Sequence, residues 1–121
     1  MKIIVLFGDH HTGKTQTLND VFNQLHNKAN IQSNPSPYLP PNDNEYTFDY
    51  NGKHVALATA GDRRNYINNI ISKYISVDVL VIAYNKQLPT IYSNIFEADE
   101  IYIVQKTNSN QNDCNKIIKL I

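Results

Sequence analysis

The chain has 121 residues, with 11 Lys+Arg against 11 Asp+Glu, so its formal charge is zero and a general electrostatic grip on nucleic acid or an anionic membrane is not expected. That length holds one core, and residues 1–121 are read as a single compact domain. One cysteine, Cys114, excludes an internal disulfide and a Cys-rich zinc site; the apolar run after Met1-Lys2 stops at Gly8, short of the ~7–15 residues of a secretory h-region, and the expected location is cytoplasmic.

Ile3-Ile4-Val5-Leu6-Phe7 is a continuous apolar run closed by glycine, the pattern of a strand buried on both faces. Leu18, Val21, Phe22 and Leu25 then fall at i, i+3, i+4 and i+7, which predicts a helix over 13–28. Residues 30–44 carry four prolines among Asn and Ser and read as a long loop, a candidate surface for a protein partner. Strands are expected at 46–50 and 55–60, with Asn51-Gly52 between them as a hairpin turn. Ile67, Ile70, Ile71 and Tyr74 place a helix over 62–75, followed by an apolar strand at 77–83. A short helix is expected at 90–96 and a strand at 101–104. Asp113 reads as the cap of a last helix, whose Cys114, Ile117, Ile118 and Ile121 again repeat at i, i+3, i+4 and i+7. Alternating strands and helices predict a three-layer α/β domain of about five strands, mostly parallel, with one antiparallel hairpin strand.

Between the first strand and the first helix stands Gly8-Asp9-His10-His11-Thr12-Gly13-Lys14-Thr15, which fits G-x-x-x-x-G-K-[ST] at every fixed position. Glycines let successive backbone N–H groups turn toward phosphate oxygens, and the helix start adds its positive dipole end. The cradle is expected to span Gly8, Asp9, His10, His11, Thr12, Gly13, Lys14 and Thr15 and to end at Gln16. In it Lys14 neutralises phosphate charge and the Thr15 hydroxyl serves Mg²⁺. His10 and His11 read as variable loop positions, because adjacent histidines point apart and no third ligand is near in sequence.

On this motif the chain resembles the P-loop NTPase superfamily, and the hairpin strand with Leu57-Ala58-Thr59-Ala60-Gly61-Asp62 looks like the small-GTPase branch, which carries Asp-x-x-Gly after its third strand. The resemblance implies that Gly61 offers its N–H to a γ-phosphate. Two departures stand out: Ala58 falls where the family has its aspartate, and Gln105-Lys106-Thr107-Asn108 lacks the carboxylate of the guanine signature Asn-Lys-x-Asp. ATP is therefore favoured over GTP.

Ligands of open parallel sheets sit at the carboxyl ends of the strands. That excludes Asp78, Asp99 and Glu100, which precede their strands, and selects Asp62 to hold a Mg²⁺ water or the attacking water. Arginine is confined to Arg63 and Arg64, too few for transfer between two phosphorylated substrates. The expected function is Mg²⁺-dependent binding and slow hydrolysis of a nucleoside triphosphate as a switch, with Lys14 and Asp62 as the catalytic pair and Thr15 and Asp62 at the metal. The alternatives are a non-hydrolysing nucleotide sensor that regulates a partner protein and a small phosphotransferase. No membrane contact and no nucleic acid partner are expected.

Overall fold

The computed structural model describes residues 1–9, 12–26, 30–31, 44–60, 64–85 and 98–121. The expectations placed on His10, His11, most of loop 30–44, Gly61, Asp62, Arg63 and the helix at 90–96 lie outside those residues.

In chain order the elements are β1 (Lys2–Gly8), α1 (Lys14–His26), β2 (Asn30–Ile31), β3 (Glu45–Tyr50), β4 (Lys53–Ala58), α2 (Arg64–Lys73), β5 (Val79–Asn85), β6 (Glu100–Gln105) and α3 (Asn110–Leu120). The two-residue β2 lies in what reads as loop, and it adds an edge strand to the five expected. The turn between β3 and β4 has Asn51 at φ 51° and Gly52 at φ 76°, the paired positive values that a two-residue hairpin loop requires.

The strand order is β2-β3-β4-β5-β1-β6. β1 runs parallel to both β5 and β6, β4 runs parallel to β5, and β3 is antiparallel to β4. β5 thus separates β1 from the hairpin, and all seven of its residues are buried.

Period-two alternation divides the apolar runs between two faces. Ile4 and Leu6 of β1, with Val55, Leu57, Val79 and Val81, pack with Leu18, Val21 and Leu25 of α1 and with Cys114 and Ile117 of α3. Ile3 and Val5, with Ala56, Ala58, Leu80 and Ile82, pack with Ile67, Ile70 and Ile71 of α2. These are the three layers. Cys114 is wholly buried, and burial pushes its thiol up to about 11, so it packs and does not react. Tyr84 on β5 is buried, whereas Tyr102 on the edge strand β6 is exposed.

Candidate nucleotide site

The segment between β1 and α1 leaves the sheet at its carboxyl edge, beside the ends of β5 and β6. Gly8 is the last residue of β1 and stands in register with Asn85, the last residue of β5. Gly13 has φ 91°, a conformation that a Cβ would strain, and it turns the chain directly into α1. The Thr12 hydroxyl donates to the Asp9 carbonyl at 2.7 Å, and both the amide and the hydroxyl of Thr17 donate to the Gly13 carbonyl at 2.9 Å. Lys14 is buried, and its ammonium donates to the carbonyls of Gly8 at 3.2 Å and Asp9 at 2.5 Å. The lysine therefore lies over the loop that precedes it. Gln16 is exposed, and its amide donates to Asp20 one turn further on, along the helix surface.

The Thr15 hydroxyl reaches across the sheet edge toward the carbonyl of Thr59, at a long 3.4 Å. Thr59 directly follows β4 and is wholly buried; its hydroxyl accepts from the Asn44 amide at 2.8 Å. The carboxyl end of β4 is thus brought to the first turn of α1. Asn85 is not among the site residues expected from the sequence. Its side chain is 7% exposed and shares a face with Val79, Val81 and Ala83, the face that α1 covers. Only the sheet order puts it beside Gly8. The acids sorted to the opposite edge are engaged there: Asp78 accepts from the His54 amide, Asp99 from the N-terminal ammonium, and Glu100 from the Tyr102 hydroxyl.

Two carboxylates among the described residues are buried, and the first differs from its sequence reading. Asp113 is not the cap of α3. Ser109 is, its hydroxyl accepting from the Asn112 amide at 3.2 Å. The polar run Asn110-Gln111-Asn112 conceals that first helical turn. Asp113 instead accepts from Lys106 Nζ at 3.0 Å and from the amide and hydroxyl of Thr107 at 2.8 and 2.9 Å. Burial pushes its carboxyl up, but these donors outweigh burial and hold it below the usual range. Lys106, which occupies the lysine position of a guanine signature, therefore spends its ammonium on Asp113.

The second carboxylate is Glu45, at the start of β3 opposite Ala58. It accepts from Tyr66 at 3.0 Å, Lys73 at 2.9 Å and Tyr74 at 2.8 Å, all from α2 or the turn after it. Burial raises its carboxyl, and the three donors together bring it below its ordinary value. Three strand spacings of ~4.8 Å, roughly 14 Å, separate β3 from β1, which places Glu45 away from the loop.

Among the described residues no group of three or more His, Cys, Asp or Glu side chains could hold a metal. A Mg²⁺ ion bound with phosphates needs only one or two protein groups, and Thr15 at the helix start is of that kind. The RNA helicase family model matches residues 4–77, from β1 through α2. The chain belongs to the RNA helicase family. That family is related to the P-loop NTPases, so the domain is of the nucleotide-binding P-loop type. A nucleic acid partner, not expected from the charge balance, is open again on the same ground. No curated protein and no solved structure matches the chain. No described helix is long and apolar enough to cross a membrane.

Proposed function

We propose that this member of the RNA helicase family binds a nucleoside triphosphate with Mg²⁺, ATP in preference to GTP, and hydrolyses it slowly to drive a conformational change that acts on RNA. The observation that carries the reading is the run Gly8 to Thr15 leading through the positive φ of Gly13 into the N-terminus of α1. In this reading backbone N–H groups of Gly8, Asp9, His10, His11, Thr12 and Gly13 would serve the phosphates, and Lys14 would move from the carbonyls of Gly8 and Asp9 to the phosphate oxygens. Thr15 and Asp62 would hold Mg²⁺, which when bound neutralises phosphate charge. Gly61 offers its N–H to the γ-phosphate, and Asn85 orients the terminal phosphate or the attacking water from the end of β5. The proposed conformational change would involve loop 30–44 and the segment after Gly61, and the same loop would offer the surface for a protein partner.

Ala58, in place of an acid at the end of β4, favours a second reading, a sensor that binds without hydrolysis. Titration of fluorescent ATP and GTP with and without Mg²⁺, followed by single-turnover phosphate release, separates the two. Lys14→Ala is expected to weaken triphosphate binding by about 2–5 kcal/mol, the cost of truncating one partner of a buried charge pair. With no carboxylate in Gln105-Lys106-Thr107-Asn108 to reject adenine, GTP should not exceed ATP, and the two affinities should agree within about tenfold, ~1.4 kcal/mol. Equal affinity in wild type and Lys14→Ala would sink the nucleotide reading. Tight ATP binding with no phosphate release would establish the sensor.

A further inference from the structure

Both glycines of the loop are backed by the same short segment from the far side of the sheet edge. A Cβ on Gly8 would lie 2.8 Å from Cβ of Lys106, closer than two such carbons approach, and 3.7 Å from its Cγ. A Cβ on Gly13 would lie 3.7 Å from Cε of the same lysine and 3.3 Å from Oδ1 of Asn110. The lysine stem therefore runs behind the loop from one glycine to the other. Its near end is set by the Lys106 amide, which donates to the Phe7 carbonyl at 2.8 Å. Its far end is set by Asp113, at 3.0 Å in a pair whose side chains are 1% and 0% exposed. Asn110 completes the support, its Oδ1 accepting from the Thr17 hydroxyl at 3.2 Å.

A cation so buried and so paired is not available to a ligand, and its means of acting on one is through the loop it underlies. We propose that Lys106, held extended by Asp113, is a positioning residue for the phosphate cradle: its stem is the floor that fixes Gly8 and Gly13. This rests on the phosphate-binding reading of the loop. The floor comes from the segment between β6 and α3, outside the 4–77 span shared with the family. The second half of the chain thereby sets the affinity of a motif encoded in the first.

Replacing the pair as a pair avoids leaving one buried charge alone. Lys106→Met/Asp113→Asn keeps most of the stem and an acceptor for Thr107; Lys106→Ala/Asp113→Asn removes the stem beyond Cβ. Fluorescent Mg²⁺-ATP titration is run on both beside their melting temperatures. The Met variant is expected to bind within about threefold of wild type, because volume-conserving swaps disturb packing least. The Ala variant is expected to bind about tenfold more weakly or worse at a temperature where it is folded, because small misplacements of a binding backbone cost heavily. Equal affinity in the two, whatever their melting temperatures, reduces the stem to ordinary packing and overturns the proposal. Should the Ala variant not fold, Lys106→Leu/Asp113→Asn fills the Gly8 end and empties the Gly13 end; binding weaker than the Met variant supports the floor, and equal binding overturns it. Failure of wild type itself to bind, or indifference to Lys14→Ala, strikes at the phosphate reading and takes the proposal with it.

Discussion

Thr15 sends its hydroxyl to within 3.4 Å of the Thr59 carbonyl, which brings the end of β4 beside the first turn of α1, where the proposed Mg²⁺ would need its second protein group. Ala58 and Ala60 offer no ligand there, and Asp62 is the next carboxylate along the chain. Asp62→Asn keeps shape and removes charge and basicity. Hydrolysis is expected to fall by roughly 10²-fold or more, the scale of one lost catalytic group, with nucleotide affinity changed only modestly. Single-turnover phosphate release measures it, and wild-type turnover in the variant would remove Asp62 from the mechanism.

Between elements, the contact with the clearest energetic consequence is Glu45, which ties the start of β3 to α2 through Tyr66, Lys73 and Tyr74. Its carboxyl is held below its ordinary value of 4.5, so near that pH the unfolded chain binds more protons than the folded one. The stabilisation is complete above about pH 5 and is lost as pH falls through the depressed value. Asp113 acts in the same direction. Glu45→Gln should cost about 1–3 kcal/mol at neutral pH by weakening a buried hydrogen-bonded network. It should also flatten the acid limb of a melting-temperature profile, leaving the part that belongs to Asp113. A variant with the wild-type acid slope would show that Glu45 titrates alike in both states. The elements themselves were legible: continuous apolar runs marked β1 and β5, i, i+3, i+4, i+7 spacing marked all three described helices, and Asn51-Gly52 marked the hairpin. Glu45 was not, because an acid opening a half-polar strand looks the same whether or not a neighbouring helix brings it donors. Lys106 and Asp113 are seven residues apart with a helix start between them, and nothing in their spacing distinguishes a buried pair from two solvated charges.

For the whole molecule, what the pattern of residues left open was adjacency. Hydrophobic periodicity tells which segments are strands, but not that β5 stands between β1 and β4, and with that order came Asn85 beside Gly8. The order has a consequence for how the protein is made. Lys2 finds its neighbours in Val79 and Glu100, so β1 has no sheet partner until most of the chain exists. A fragment of residues 1–77 holds the entire span matched by the family and yet lacks β5, the bridge from the loop-bearing strand to the hairpin. It is expected to show no cooperative thermal transition by circular dichroism; a sharp one would mean that the hairpin docks on β1 directly. On the ribosome, at ~5–20 residues per second, β1 waits roughly 4–16 s for β5 to be translated. For that interval Ile3 to Phe7, the most apolar run near the start, is an unpaired strand in need of shelter, and the slow step of this chain's biogenesis is the arrival of its centre.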